Sequence, residues 1–480
     1  MSILNHVPSG WELRPEQRDL LMAIEAGWDR HDVIAGLLPT AFGKTLIAVT
    51  LANWRAASKD NVSYIIPDNI LVEQVQSQFP NLVALHRKDR YHCDTWGTDC
   101  AHSHRKQDGY CKGCPYLGAK RAATKATIRV ANYYVYYAHR LHSRVLIADE
   151  AHRLVNMLED KKDIKIWRKD FNFPPGLRTV ADVVEWAQGC LKAADNHKLE
   201  LALKEVLHIR EGAIVEYRQG FRHGKAEEVL TIIPADTRAV PSWLWPQNKV
   251  RKIVLLSATI GAQDIAELGL NHRRVLYLSC PSPIPATNRP VLYEPRCNMA
   301  RRFRDKALPH FVKAVQEKLA VHPEKGLIHL PYSVAESFSE LCFDPRLMFH
   351  THNNKAEVLA RFRESPPEQG RVLVASGLYE GLDLPFDAAR WQVIGCVPWA
   401  NLGDDRTKRK AATNPDWFSW GAIKKVLQAA GRIVRSPTDY GCTYIFDSNF
   451  ERLYNQDKQR KQPMFPSFFR DAVKGKGLRQ

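Results

Sequence analysis

Two short polar segments follow apolar runs in the first third of the chain and carry residue types suited to nucleotide chemistry. The first is Gly43-Lys44-Thr45, which comes after the apolar run at residues 32–38 and opens a helical pattern. In a strand–loop–helix of this kind, backbone N–H groups and a lysine bind phosphates, and a hydroxyl binds Mg²⁺. Leu38 stands where the full phosphate-loop pattern has its first glycine, so the tripeptide alone is also compatible with an ordinary helix start.

The second segment is Asp149-Glu150-Ala151-His152, which follows the apolar run at residues 144–148. Carboxylates at the carboxyl end of a buried parallel strand lie at the edge where α/β sheets bind ligands. We expect Asp149 to hold Mg²⁺, directly or through water, and Glu150 to polarise the attacking water. The alternative is two solvated acids at a helix cap, which leaves their pairing with a Gly-Lys-Thr segment unexplained.

Four cysteines are clustered between these two segments. Cys93, Cys100, Cys111 and Cys114 are separated by 6, 10 and 2 residues in a polar, histidine-rich stretch. Four thiolates can close a tetrahedral zinc site or hold a [4Fe–4S] cluster, and this spacing alone does not separate the two. The alternative zinc ligands nearby are His92, His102 and His104.

The elements that must position these residues indicate an α/β architecture. Apolar runs typical of buried strands alternate with helical patterns such as residues 45–56 and 70–79. The runs lie at residues 32–38, 63–67, 144–148, 252–256, 326–330, 371–375, 391–397 and 443–446. They form two groups, which predicts two parallel-sheet domains.

Composition excludes several classes of protein. Apolar residues are 45% and charged residues 25% of the 480 residues, so a disordered or fibrous chain is excluded. No apolar run is long enough for a membrane span, and no signal peptide is predicted. Lysine and arginine number 69 against 52 aspartates and glutamates, a net charge of +17. That excess favours a polyanionic partner, although a soluble charged surface would also account for it.

Further motifs occur at positions that support this interpretation. Arg14-Pro15-Glu16-Gln17 precedes the first strand, and Ser257-Ala258-Thr259 follows the run at residues 252–256. Two more motifs follow in the second half, Glu380-Gly381-Leu382-Asp383 and Gln428-Ala429-Ala430-Gly431-Arg432-Ile433-Val434-Arg435. In this order the motifs resemble those of superfamily 2 helicases, and the resemblance extends from about residue 14 to residue 435.

The resemblance implies a role for each motif. Arg432 and Arg435 would act as arginine fingers on the γ-phosphate of ATP, which in such enzymes is bound between two RecA-like domains. Gln17 would contact adenine. The residues implied in catalysis are Lys44, Glu150, Arg432 and Arg435. Those implied in binding ATP and Mg²⁺ are Gln17, Gly43, Lys44, Thr45, Asp149, Asp383 and Gln428.

The segment after the last clustered cysteine narrows the family. Cys114-Pro115-Tyr116 and the residues that follow, up to Tyr133, resemble the end of the iron–sulfur domain of XPD/DinG helicases. This resemblance favours a [4Fe–4S] cluster over zinc. It implies an ATP-dependent DNA helicase that moves 5′ to 3′ on single-stranded DNA and unwinds forked or tailed duplexes. Tyr133, Tyr134, Tyr136 and Tyr137 would stack nucleobases or pack the core.

The resemblance also implies a cellular role and location, leaves some alternative functions open, and implies a domain order. We expect a monomer active in DNA repair, replication or recombination, in a bacterial or virus-infected cytoplasm, or in the nucleus if the source is eukaryotic. The alternatives are an RNA helicase, a duplex translocase, or a nucleic-acid-binding protein with weak ATPase. The expected order is helicase domain 1 (1–85, 129–156 and 246–279), iron–sulfur domain (86–128), mostly helical arch-like insertion (157–245), linker (280–300) and helicase domain 2 (301–480).

The four clustered cysteines generate a test of the metal assignment. We expect protein purified without oxygen to be yellow-brown, with absorbance near roughly 400 nm and about four irons per chain. Cys114→Ser should bleach this colour, whereas Cys190→Ser, outside the cluster, should leave it unchanged. Stoichiometric zinc in a colourless sample would contradict the iron–sulfur assignment.

Overall fold

The structure is a computed structural model that describes residues 2–93, 97–100, 113–193, 213–222, 225–233, 245–246, 248–379 and 382–479. It divides into two compact units, each interrupted in sequence by the other. The first unit comprises Met1–Gly36, Thr45–Leu278 and Asn401–Pro415. The second comprises Leu37–Lys44, Ser279–Ala400 and Asp416–Gln480.

The first unit is built around a seven-stranded sheet. Its strands in chain order are β1 (Val33–Leu37), β2 (Val62–Ile66), β3 (Val83–Leu85), β6 (Ile128–Asn132), β7 (Val145–Asp149), β11 (Lys252–Ser257) and β12 (Val275–Ser279). The spatial order is β12-β1-β11-β7-β2-β6-β3. The four neighbouring pairs from β11 to β3 are parallel. Because β2 and β7 are buried along their whole length, they are apolar almost throughout.

Helices connect these strands. In chain order they are α1 (Pro15–Gly27), α2 (Lys44–Ala57), α3 (Asn69–Gln78), α4 (Pro115–Lys125), α5 (Tyr133–His139), α6 (His152–Lys162), α7 (Val180–Ala193) and α8 (Ala262–Glu267). A two-stranded hairpin of β4 (His92–Cys93) and β5 (Thr98–Asp99) lies in the cysteine-rich stretch. The helices predicted at residues 45–56 and 70–79 are confirmed as α2 and α3.

The predicted arch-like insertion contains a sheet that the sequence patterns did not indicate. Strands β8 (Ile164–Trp167), β9 (Ile214–Arg222) and β10 (Lys225–Ile233) pair antiparallel in the order β8-β10-β9. Their inner face packs on α7 in a small core that includes Phe173, Val183 and Leu230. The strands are hard to recognise because charged residues such as Glu216 and Glu228 alternate with apolar ones.

The second unit has its own seven-stranded sheet. Its strands are β13 (Val291–Cys297), β14 (Gly326–Leu330), β15 (Leu347–Met348), β16 (Val372–Ser376), β17 (Trp391–Ile394), β18 (Cys442–Asp447) and β19 (Val473–Lys474). They lie in the order β15-β16-β14-β17-β18-β13-β19, and every neighbouring pair is parallel. The segment predicted as a linker, residues 280–300, thus contributes β13 to this sheet.

Helices flank this second sheet as well. They are α9 (Arg304–Val321), α10 (Tyr332–Leu341), α11 (Lys355–Glu364), α13 (Pro415–Ala430), α14 (Asn449–Lys458) and α15 (Ser467–Arg470). The predicted architecture of two parallel-sheet α/β domains, with insertions in the first, is confirmed. All eight apolar runs named above contain a strand. Within the described part of the chain, no helix is long and apolar enough to cross a membrane.

One helix from the second half of the sequence belongs to the first unit. This is α12 (Asp405–Thr413), and two ion pairs fix it there. Nζ of Lys410 lies 2.6 Å from Oε2 of Glu267 at the end of α8, with both side chains only 5% exposed. Nη1 of Arg406 lies 3.3 Å from Oδ1 of Asp163, which follows α6.

Loss of one partner of the buried pair should destabilise the protein. Lys410→Met leaves the Glu267 carboxylate buried without its cation, a change that costs about 3 kcal/mol. The double variant Lys410→Met with Glu267→Met should recover most of that loss, because two apolar side chains need no ionic partner. Urea unfolding followed by tryptophan fluorescence measures both.

The exposed pair Arg361–Glu357 provides the control for this comparison. Its side chains are 67% and 69% exposed and 4.0 Å apart, so Arg361→Met should change the free energy of unfolding by less than about 1 kcal/mol. Equal effects of Lys410→Met and Arg361→Met would show that the buried pair does not stabilise the first unit.

Candidate nucleotide site

The carboxylate of Asp149 lies at the carboxyl end of β7 and is held by surrounding donors. Its Oδ2 accepts a hydrogen bond from the Tyr64 hydroxyl at 3.0 Å, and its Oδ1 accepts the backbone N–H of Glu150 at 2.9 Å. The hydroxyl of Tyr133 donates to the Asp149 carbonyl oxygen. The predicted Mg²⁺ ligand is therefore fixed in orientation by groups from β2, α5 and its own loop.

Tyr64, which donates that hydrogen bond, is fully buried in β2. Burial, and then the neighbouring Asp149 carboxylate, raises the pKa of Tyr64 well above its ordinary value, so the phenol stays neutral. Thr45, the other residue predicted to hold Mg²⁺, lies in the first turn of α2.

Glu150 adopts an unusual backbone conformation next to this network. Its φ is +47°, in the left-handed region that costs a side-chain-bearing residue about 1–2 kcal/mol. One oxygen of its carboxylate lies 3.4 Å from Nδ1 of His152. The same His152 nitrogen lies 2.8 Å from the hydroxyl of Ser257, so the segment after β7 is connected to the Ser257-Ala258-Thr259 motif after β11.

The loop before α2, whose sequence departs from the full phosphate-loop pattern, contains two residues in the left-handed backbone region. Gly43 has φ +84°, and Ala41 has φ +64°, a conformation that favours glycine. Phe42 is buried between them. The loop, Leu37–Lys44, belongs to the second unit, and there Thr40 lies close to Gly431: a Cβ on Gly431 would be 3.1 Å from the Thr40 hydroxyl oxygen.

Gln17 has a structural role at the start of α1. It is 3% exposed, and its Oε1 accepts the backbone N–H of Arg14 at 2.9 Å. The side chain therefore caps the helix that carries it. Its predicted contact with adenine stays a prediction.

The two predicted arginine fingers lie in the turn after α13. Nη1 of Arg432 donates to the Leu382 carbonyl at 2.8 Å, and Arg435 forms an ion pair with Asp383. The backbone N–H of Leu384 donates in turn to the Arg432 carbonyl at 3.2 Å. These bonds join two of the predicted motifs, although Glu380 and Gly381 lie outside the described residues.

Asp439 binds the backbone of the arginine turn and that of Phe386, three residues after Asp383. Its carboxylate has no exposed surface, and its Oδ2 accepts the backbone N–H groups of Arg435 and Phe386, each at 3.1 Å. Oδ1 pairs with Nη1 of Arg390 at 3.0 Å. One buried carboxylate therefore holds the backbone of the arginine turn and the backbone at Phe386.

A second buried polar network lies under the turn. Gln392 in β17 forms hydrogen bonds with three groups. Its Oε1 lies 3.1 Å from Nε2 of His329, and its Nε2 donates to the Ala430 carbonyl at 3.2 Å and to the Thr443 hydroxyl at 2.8 Å. Burial lowers the pKa of His329 to about 4, and the charge of Arg432 acts in the same direction. His329 is therefore neutral at physiological pH.

Gln428 presents an unused acceptor near these groups. The residue is 8% exposed, and its buried Oε1 accepts no hydrogen bond within the described part of the chain. A buried carbonyl oxygen without a donor is costly, so a ligand donor there would be favourable. This fits the prediction that Gln428 belongs to the nucleotide site.

Three of the four clustered cysteines are described, and all three are buried and form no disulfide. They are Cys93, Cys100 and Cys114. Cys93 and Cys100 lie at the two ends of the β4–β5 hairpin, and Cys114 precedes α4. Cys111 lies outside the described residues, as do His102 and His104. In the portion that the structure describes, no three His, Cys, Asp or Glu side chains converge to hold a metal.

The tyrosines beside the cysteine-rich stretch divide between two environments. Tyr133 and Tyr136 are 2% exposed and pack inside the first unit, whereas Tyr134 is 48% exposed. Of the three, Tyr134 alone has the surface needed to stack a base.

Sequence patterns missed Tyr64, Asp439 and Gln392. Tyr64 and Gln392 lie inside apolar strands, and the signal in the sequence was one polar side chain among apolar neighbours. Asp439 follows Arg435 by four residues, and its burial depends on Arg390 from a distant part of the sequence.

Comparison with known families gives matches in both halves. The DEAD/DEAH box helicase family matches residues 14–181, and the helicase C-terminal domain family matches residues 313–463. The curated relatives include a Regulator of telomere elongation helicase 1 homolog of Anopheles gambiae, 27% identical over 133 residues, and one of Arabidopsis thaliana, 32% identical over 98 residues. The first match covers 24% of this chain and 13% of the length of that relative, and the second covers 16% and 9%.

Solved structures share the fold over nearly the whole chain. A structure named XPD_Helicase has a TM-score of 0.61 at 13% identity, covering 97% of this chain and 100% of its own. One named XPD_APO has a TM-score of 0.58 at 15% identity, covering 91% and 97%. Xpd4 of S. tokodaii has a TM-score of 0.57 at 13% identity, covering 96% and 100%.

The buried Asp439 leads to a test of the arginine turn. Asp439→Asn removes the charge that pairs with Arg390 and one of the acceptors for the Arg435 and Phe386 N–H groups. We expect the rate of ATP hydrolysis at saturating ATP to fall about tenfold, because one hydrogen bond to a charged group contributes about 1.5–3 kcal/mol to holding the turn. Steady-state kinetics should show little change in KM.

Asp457 provides a matched control in the same unit. It is also buried, and its carboxylate accepts two backbone N–H groups, from Met464 and Phe465, both at 2.9 Å. Asp457→Asn should lower the unfolding midpoint as Asp439→Asn does and leave the hydrolysis rate near normal. Equal rates in the two variants would contradict a positioning role for Asp439.

Proposed function

We propose that this chain, whose two halves match the DEAD/DEAH box helicase and helicase C-terminal domain families, is an ATP-dependent DNA helicase that moves 5′ to 3′ on single-stranded DNA. The observation that carries the proposal is the buried carboxylate of Asp149 at the end of β7, which accepts the Tyr64 hydroxyl at 3.0 Å. It presents an oriented carboxylate at the carboxyl edge of a parallel sheet, as a Mg²⁺–nucleotide site requires.

The residues present fit Mg²⁺ and ATP. A hydroxyl and a carboxylate are the oxygen donors that Mg²⁺ takes from proteins, and the unused Oε1 of Gln428 suits a ligand donor. Thr45 and Asp149 would hold the ion, whose charge helps neutralise the phosphates. Lys44 and the N–H groups around Gly43 would bind the phosphates themselves.

Glu150, Arg432 and Arg435 would act on the reacting groups. Glu150 would orient the attacking water and accept its proton, and its 3.4 Å approach to His152 keeps its carboxylate at the site. The two guanidinium groups would stabilise the charge that develops on the transferred phosphoryl group. Asp383, now paired with Arg435, would hold that guanidinium until phosphate takes its place.

The preference for DNA rests on charge and on the cysteine-rich insertion. A net charge of +17 favours a nucleic-acid partner. Helix α4 carries the basic residues Lys120, Arg121 and Lys125, and Tyr134 in α5 is exposed. We propose that these residues contact the DNA backbone and a base. A role in repair, replication or recombination, in the cytoplasm or the nucleus, and a monomeric state are part of the same proposal.

We also propose that Cys93, Cys100, Cys111 and Cys114 hold a [4Fe–4S] cluster. The described members of this set are buried and free of disulfides, which suits thiolate ligation. The cluster would brace the cysteine-rich insertion, with no part in hydrolysis.

Partial duplexes with a single-stranded tail on one strand test the proposed activity. We expect unwinding from a 5′ tail with ATP and Mg²⁺, and ATP hydrolysis stimulated by single-stranded DNA. Arg435→Ala should lower hydrolysis on the order of 10³-fold, the contribution of an arginine finger. Binding should weaken with salt at a slope of about −0.7 per neutralised phosphate.

Matched substrates and variants separate the parts of this proposal. Lys44→Ala should remove unwinding and hydrolysis together, whereas Lys458→Ala, in α14, should leave both near normal. Unwinding from a 3′ tail alone would contradict the polarity, and unwinding of RNA duplexes with none of DNA would favour an RNA helicase. Near-normal hydrolysis in Arg435→Ala would contradict the two-domain mechanism.

A further inference from the structure

We propose that Tyr64 is a positioning residue for magnesium, which sets the orientation of Asp149. The inference rests on the proposed nucleotide site and adds a residue to it that lies in neither the Gly-Lys-Thr segment nor the Asp-Glu segment. Tyr64 acts through the Asp149 carboxylate and is not itself proposed as a ligand of the phosphates or the cation.

The position of Tyr64 leaves it little freedom. It lies in β2, whose neighbours β6 and β7 pair with it on both sides, and its side chain has no exposed surface. In the register of the sheet, Tyr64 lies beside Ile147 of β7, two residues before Asp149. The phenol hydroxyl therefore reaches the carboxyl edge of the sheet from a rigid strand.

The direction of this hydrogen bond follows from the chemistry of its two groups. An ionised carboxylate can only accept, so the single proton of Tyr64 goes to Oδ2 of Asp149 at 3.0 Å.

This bond has a consequence for the cation. Oδ2 of Asp149 is held by the Tyr64 hydroxyl and Oδ1 by the Glu150 N–H at 2.9 Å, so the carboxylate cannot rotate freely. The carboxylate is therefore oriented before any cation arrives, and the ordering cost at binding is reduced.

Tyr64→Phe tests the inference, since it removes one oxygen atom and keeps the ring that fills the core. Equilibrium binding of methylanthraniloyl-ATP, titrated with MgCl₂, gives the Mg²⁺ concentration at half-saturation. We expect this concentration to rise about tenfold in the variant, the effect of losing one hydrogen bond to a charged group. Binding of the same nucleotide in EDTA should be unchanged, because the phosphate loop is intact.

Tyr136→Phe is the matched control, since Tyr136 is equally buried in the first unit and packs against His142. Its Mg²⁺ requirement should equal that of the wild type. An unchanged or lower Mg²⁺ requirement in Tyr64→Phe would overturn the inference, and a lower one would indicate that the phenol competes with the cation. Failure of the wild type to bind nucleotide with Mg²⁺ would instead overturn the proposed function.

Discussion

Parallel pairing of buried strands is the constraint on which the rest of the structure depends. A strand covered on both faces has to be apolar along most of its length, so polar groups collect where it ends. β7 is buried from Val145 to Asp149 and β16 from Val372 to Ser376. The carboxyl edge of each sheet is therefore the natural place for chemistry, and Lys44, Asp149 and Asp383 lie at or after the ends of such strands.

Two carboxylates of the candidate site are too buried to rely on water. Asp149 and Asp439 each accept hydrogen bonds on both oxygens, from backbone and side-chain donors. A buried carboxylate with fewer partners would be costly, so these bonds define one orientation for each side chain. The candidate site is in this sense organised by the polypeptide alone, and its geometry reflects the satisfaction of buried charges.

The sequence predicted those parts of the structure whose cause is local. Apolar runs predicted the eight strands because burial on two faces leaves a continuous signal, as in residues 144–148. The sheet of β8, β9 and β10 was not predicted, because one face is polar and Glu216 or Glu228 interrupts the apolar pattern. Asp439 and Tyr64 could not be assigned, since their importance comes from Arg390 and Asp149, which are distant in sequence. Motif spacing predicted roles for Asp149 and Arg435 and gave no information on what orients them.

The path of the chain between the two compact units limits how the protein can be divided or rearranged. Residues 37–44 are flanked on both sides by the first unit, and residues 401–415 on both sides by the second. A single cut near residue 279 would leave the amino-terminal piece without α12, and the Glu267 carboxylate would lose the lysine that neutralises it. The two halves consequently depend on each other in evolution. Recombination near residue 279 that exchanged one half for that of a distant relative would have to preserve the Lys410–Glu267 ion pair, whose two residues are encoded on opposite sides of the junction.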